Sequence, residues 1–370
     1  MFEIQKLPVY MLGSFGHAGI DWTHSLLDNH KQILLMPAFS FFRTLHKIEK
    51  INGISLNKLQ NSKYASELLS DMFYSDISYQ LKRRKFIFNT SQKEIFKNEV
   101  FKYLENTDDN IIKNLFFSIH YAFSKVHNIN FSEKKCIVVH EHVSWHYKKY
   151  LDFFDANFIV IFRDPKAVLG GGILRMKNSN ISKKLTSFQL DTMILDMICA
   201  YKIFLEKKKI NNKIFVLQNE KMHINLREEM TKLSSWMKID FYNTMLDQTF
   251  MGQTWLGESS YLAKDELEKK PPENFYNPNE VEKRWRSVLS KQDVNNIEVV
   301  FKNYIEDFNY NFDNKINFIK RILGYINFIF SYQYQEKYFL NKYLIILRNV
   351  LRRALILIFK EKFEYFFKFK

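Results

Sequence analysis

The stretch YMLGSFGHAGIDWTHSLLDNHKQI, residues 10–33, decides how the chain is read. The apolar run LPVYMLG (7–13) has the composition of a short buried strand. It ends in a turn framed by Gly13, Gly16 and Gly19, after which Trp22, Leu26 and Leu27 recur at helical spacing on one face. A loop between a strand and a helix exposes backbone N–H groups and the positive end of the helix, and both attract phosphate or sulfate. Gly16 and Gly19 let the backbone approach a ligand closely, and His17 between them can donate to an oxyanion. A tight strand–helix turn with no ligand fits the glycines equally well. Asp21 is the odd residue, because a carboxylate in the first helical turn suits the helix dipole but not a bound anion.

Further strand-like runs follow at QILLMP (32–37), KCIVVHEHVSW (135–145), ANFIVIFRDP (156–165) and NKIFVLQNE (212–220). Helical patterns fill most of 55–130, broken at LENTDDN (104–110), and then 165–176, 187–209, 223–236 and a pair over 280–307. Apolar strands alternating with helices predict an α/β fold, a parallel sheet covered by helices on both faces. Ligands in such sheets bind outside the carboxyl ends of the strands. The Gly13–Gly19 turn, His140–His142 and Arg163 all fall at predicted strand ends.

The chain has 370 residues and a net charge of +15. Residues 315–370 hold 12 Lys/Arg against 3 Asp/Glu, so this segment supplies +9 of that excess. Here Leu340, Leu344, Leu347 and Leu351 line one stripe while Arg348 and Arg352 lie on another face, the pattern of an interfacial amphipathic helix. An alternative is a helical hairpin packed on the core. The expected division is therefore an α/β domain over 1–314 and a basic helical extension over 315–370, with an anionic membrane surface as a partner. The Phe/Leu content suits a bilayer or core better than phosphate stripes, so nucleic acid is not expected. Two cysteines, Cys136 and Cys199, make no disulfide framework, and MFEIQKLPVY lacks the basic and apolar regions of a signal peptide. The expected location is cytoplasmic, with the extension at the inner face of the membrane. No G-x-x-x-x-G-K-[ST] occurs, which disfavours a nucleotide kinase.

GHAGIDWTHSLLDNHKQI (16–33) resembles the 5′-phosphosulfate-binding loop of the sulfotransferases, with His17 at the basic position, Ala18 at the small one and Gly19 at the glycine. Ile20 and Asp21 stand where hydroxyl residues are usual, and SLLDNHKQI (25–33) keeps the helix that follows. FIVIFRDPKAVLGGGI (158–173) resembles the family's second nucleotide segment, in which a strand-end arginine binds the 3′-phosphate. Arg163 matches it; Gly171 takes the place of a customary serine, and Arg175 lies one turn on. FVLQNEKMH (215–223), TFMGQTWLGESS (249–260, with Gly252 and Trp255) and KRWRSVLSKQD (283–293) are weaker echoes in the same order.

The resemblance implies a P-loop-like sulfotransferase fold and 3′-phosphoadenosine 5′-phosphosulfate as co-substrate. It implies a donor site of Gly16, His17, Ala18, Gly19, Ile20, Asp21, Trp22, Arg163, Gly171, Arg175, Gly252 and Trp255. The acceptor is then a hydroxyl or amine of a glycan, lipid or other cell-envelope molecule. His17 does a lysine's work only when protonated. For the base that takes the acceptor proton, matching frames selects His142 first and Glu141 second, and Asp21 is a further candidate beside the transferring group. The bland role of Asp21 is helix capping. Three histidines within seven residues (His140, His142, His146) also suggest a metal site, but no accompanying acidic pattern supports one, and no metal is expected. Ile20, Asp21 and Gly171 leave a second reading open, a sulfotransferase-fold protein that has lost transfer and binds a nucleotide or anchors a complex.

Overall fold

A computed structural model describes residues 2–14, 17–37, 40–52, 67, 89–106, 110–143, 146–178, 186–205, 212–255, 277–330 and 343–359. Gly16, most of 53–88 and 256–276, and the segments 331–342 and 360–370 therefore lie outside the described residues, as does the side chain of Arg175.

Five strands, β1 (Val9–Gly13), β2 (Ile33–Leu35), β3 (Cys136–Glu141), β4 (Asn157–Phe162) and β5 (Ile214–Gln218), form one sheet in the order β2-β3-β1-β4-β5. Every pairing is parallel, with Tyr10 opposite Val138 on one side and Asn157 on the other. Successive side chains of a strand point to opposite faces. All five residues of β1 and all six of β3 are buried, so both faces are covered, as the unbroken apolar runs predict. The sequence places every strand of this sheet to within three residues at each end, except that the run 135–145 overshoots the end of β3 by four.

The chain leaves β1 toward β2 and leaves β4 toward β5, in opposite directions along the sheet. Adjacent strands whose connections diverge open a crevice above their carboxyl ends. The helix Ile20–Leu27 starts at this crevice, as does the helix Pro165–Asn178 after β4. Pro165 opens its helix, where a missing N–H costs nothing. Ser14, fully buried, donates to Ile161 O at 2.7 Å and holds the end of β1 against β4. Both cysteines are buried free thiols.

The two helices described after Asn314 pack on this body. A Cβ on Gly324 would stand 2.7 Å from Val299 Cγ2, so the helix Phe318–Phe330 lies against Lys291–Val300 at backbone distance. In the helix Tyr343–Phe359, Arg352 and Arg353 both turn inward to the buried Asp191 of Thr186–Leu205, with Arg353 Nε 3.2 Å from Asp191 Oδ1. Arg352 thus serves packing rather than a solvent-facing basic stripe. Among the described residues, no helix is long and apolar enough to cross a membrane.

Candidate functional site

The turn after β1 is built from backbone conformations that side chains resist. His17 has φ 66° and Gly19 φ 103°, both left-handed, with Ala18 between them. A Cβ on Gly19 would meet Asn219 Nδ2 at 2.2 Å, so glycine is required for the approach of β5's loop as well as for φ. Gly19 caps the helix Ile20–Leu27 without a side-chain acceptor. The amides at its start therefore have no side-chain cap, which is the arrangement of an anion site. Ala18 and Ile20 are buried, and can offer a ligand only their backbone.

Arg163 leaves the end of β4 and reaches across to this turn, its Nη1 donating to His17 O at 2.9 Å. The sequence separates the two by 146 positions, and the structure makes them one site. Among the described residues, Arg163 Nε is buried and meets no acceptor. The arginine's backbone is clamped by Tyr304, whose hydroxyl donates to Arg163 O at 2.9 Å and accepts from its N–H at 3.3 Å. Glu220 accepts from Asp164 N–H at 3.0 Å and from Tyr310 O–H at 3.0 Å, which gives the acidic position of FVLQNEKMH a structural role. Burial pushes the Asp164 carboxyl up to about 7, against the pull of Lys166. Gly172, one residue past the expected Gly171, faces His17: a Cβ there would sit 3.7 Å from His17 Cδ2 and collide with Met193.

On the other side of β1, the end of β3 carries the histidines. Alternation sends His140 and His142 to one face and Glu141 to the other. His140 is buried, its Nδ1 3.1 Å from His24 Nδ1 and its Nε2 2.9 Å from His142 Nε2. Asp21 Oδ1 lies 3.8 Å from the same His140 Nε2. Asp21, in the first turn of the helix Ile20–Leu27, thus turns toward β3. His24 lies one turn further along the same helix and was not selected from the sequence, which singled out His140 and His142 at the strand end. The i, i+3 spacing of Asp21 and His24 is the signal that pointed there.

Glu141 does not join this group. It is fully buried, accepts from Ser40 O–H, from Val143 N–H at 3.0 Å and from Tyr150 O–H at 3.3 Å, and has His146 Nδ1 at 3.2 Å. A carboxylate committed to so many partners pins the chain after β3 to the helices Phe41–Asn52 and Tyr147–Phe154, and does not present itself as a base. Gly252 is also displaced from its expected place. It sits in the turn of a two-stranded hairpin, φ 73°, with its N–H donated to Asp28 Oδ2 at 2.8 Å. Asp28 ends the helix that the donor loop begins, about 12 Å away at 1.5 Å per residue. Trp255 closes that hairpin onto Gln248 O at 2.9 Å. Trp22 stacks on His223 with ring centroids 4.2 Å apart.

No protein-family model and no curated protein matches the chain. Solved structures do. The sulfotransferase domain from the curacin biosynthetic pathway aligns at 11% identity over 82% of this chain and 99% of its own, with a TM-score of 0.50. That from the Synechococcus PCC 7002 olefin synthase aligns at 15% identity over 82% and 95%, with a TM-score of 0.47. Sulfotransferase STF9 from Mycobacterium avium aligns at 12% identity over 85% and 80%, with a TM-score of 0.40. With the five-stranded parallel order and the loop it presents, the chain has the α/β fold of the sulfotransferase domains.

Proposed function

We propose that the chain is a sulfotransferase, moving a sulfuryl group from 3′-phosphoadenosine 5′-phosphosulfate to a hydroxyl or amine of a glycan, lipid or other cell-envelope acceptor. The observation that carries this reading is Arg163, held by Tyr304 and bridged to the His17 carbonyl, beside a helix start that lacks a side-chain cap. The turn 17–22 and Arg163 hold the anionic donor, and Gly172 leaves room beside His17. Transfer of such a group passes through a loose transition state, so positioning and charge stabilisation do most of the work. His17, when protonated, stabilises the charge that develops on the leaving phosphate. The acceptor oxygen comes from the side of β3, where the Asp21–His140–His142 group receives it. A thermal-shift titration with 3′-phosphoadenosine 5′-phosphate tests the donor site. Binding to the folded state raises the melting temperature by mass action. An unchanged melting temperature at millimolar ligand removes the donor site.

The same reading takes an acceptor at an anionic membrane surface. Along the helix Phe318–Phe330, Phe318 (74% exposed), Ile319 (66%), Ile322, Leu323, Ile326 and Phe330 fall on one stripe, with Lys320 and Arg321 exposed on the same helix. Gly324 and Phe328 face the body. An apolar face flanked by cations is the form of a helix lying in a bilayer interface. Because truncation at 314 would uncover Val299 and Asp191, substitution is the cleaner test. The pair Ile319→Glu and Ile322→Glu is expected to abolish sedimentation with anionic vesicles while leaving the melting temperature unchanged. Undiminished sedimentation would remove the membrane from the account.

A further inference from the structure

Asp21 is a carboxylate where a site for an anionic donor has least use for one, and it points at two histidines. Ligand atoms of Asp21, His140 and His142 all lie within 4.8 Å of one another. The two Nε2 atoms are 2.9 Å apart, and Asp21 Oδ1 is 3.8 Å from His140 Nε2. Ligands bound at about 2.0–2.2 Å in a tetrahedron around one ion stand about 3.3–3.6 Å from each other. The imidazole nitrogens, 2.9 Å apart, open by about half an ångström to that separation, and half-exposed Asp21, with its ligand atom within 4.8 Å of both, closes by at most about 1.5 Å.

The surroundings fit as well. A ligating histidine is normally oriented by a partner on its other ring nitrogen. His140 has that partner in His24, Nδ1 to Nδ1 at 3.1 Å. With the proton of His140 on Nδ1, donated to His24, its Nε2 lone pair faces His142 and Asp21. Two neutral imidazoles and one carboxylate select first-row transition ions over Mg²⁺ or Ca²⁺, which prefer all-oxygen shells. Three protein ligands, two of them half-exposed, leave coordination positions open toward the crevice, as in catalytic rather than structural sites.

We propose that Asp21, His140 and His142 bind one divalent first-row transition-metal ion, with Zn²⁺ as the reference case, at the acceptor side of the crevice. The ion neutralises Asp21 beside the donor loop, so the carboxylate no longer repels an anionic donor. An acceptor hydroxyl in an open position is acidified: its O–H bond breaks, the proton passes to solvent and the oxygen keeps the electron pair. A bound ion lowers the pKa of water from 15.7 to about 7. This last consequence rests on the transferase reading; the binding of the ion does not.

Zn²⁺ titrated calorimetrically into chelator-stripped full-length protein, with no nucleotide or acceptor present, tests the site, and Co²⁺ absorption gives a second readout of coordination. One saturating site is expected. Both His142→Ala and Asp21→Asn, at half-exposed positions, are expected to weaken binding at least about tenfold, and His140→Ala to abolish it. Should His140→Ala fail to fold, the two half-exposed variants decide alone. The proposal is overturned if the wild type shows no saturable site. It is equally overturned if affinity is the same in His142→Ala and Asp21→Asn, which would place the ion on other histidines. Failure here leaves the nucleotide thermal shift untouched, so the two readings fall separately.

Discussion

Two polar clusters flank the helix starts of this molecule, and they are built in opposite ways. Around Lys166, just inside the helix after β4, every charge is answered within the fold. The ammonium, buried to 1% exposure, meets Glu298 Oε1 at 3.1 Å and Asp313 Oδ2 at 3.0 Å. Glu298 also accepts from Asp313 N–H at 2.6 Å and Asn314 N–H at 3.2 Å. Burial alone would lower the Lys166 pKa, but the carboxylates of Asp164, Asp313 and Glu298 outweigh it and hold the group above its ordinary range. Around His140, by contrast, ring nitrogens face ring nitrogens, a carboxylate stands just outside hydrogen-bonding distance, and two of the three members reach solvent. The first cluster fastens the closing helices to the sheet. The second brings two imidazoles and a carboxylate to one point at the crevice, a donor set that suits a ligand.

If that contrast is right, the largest effect on stability comes from the closed cluster. Lys166→Met leaves Glu298 buried and uncompensated, and is expected to cost about 3–5 kcal/mol in denaturant unfolding. A loss under about 1 kcal/mol would erase the distinction between the clusters. His120 sharpens it next, as a histidine buried with no route to solvent. Burial pushes it down to about 4, despite donation to Phe116 O at 2.7 Å. A base whose folded pKa is depressed contributes stability above its unfolded value near 6.5, and that contribution is lost as pH falls toward 4. The loss is on the order of 3 kcal/mol across that window. Denaturant unfolding at the two ends of the window should show the fall in the wild type and a shallower one in His120→Leu; identical slopes would contradict it.

The smallest expected effect falls on the open cluster and is the most diagnostic. In chelator, Asp21→Ser removes a carboxylate near the donor loop and is expected to tighten binding of 3′-phosphoadenosine 5′-phosphate several-fold, about 1 kcal/mol. With Zn²⁺ present, the wild type is expected to bind as well as the variant. Equal affinities in chelator would mean that Asp21 does not act on the donor.

The strands were legible because each is a short apolar run, wholly or largely buried, and the loops at their ends carried Gly19 and Arg163 into view. The two donor segments could be read because each lies within one stretch of chain. What stayed hidden joins distant segments: Tyr304 under Arg163, Glu220 under Asp164, and Asp21 beside His140. After His142, proximity in sequence made Glu141 the second candidate base. Period-two alternation turns that residue to the opposite face, where Ser40 and Tyr150 take its carboxylate. Gly252 likewise joins distant segments, its hairpin turn docking on Asp28.

The account stands on Arg163 as the anchor of an anionic nucleotide. Calorimetric titration of 3′-phosphoadenosine 5′-phosphate into the wild type and Arg163→Ala measures this directly. One-to-one binding is expected, weakened roughly 10–150-fold in the variant, the equivalent of about 1.5–3 kcal/mol for a hydrogen bond to a charged group. Binding of equal strength in both proteins, or none in either, would contradict it.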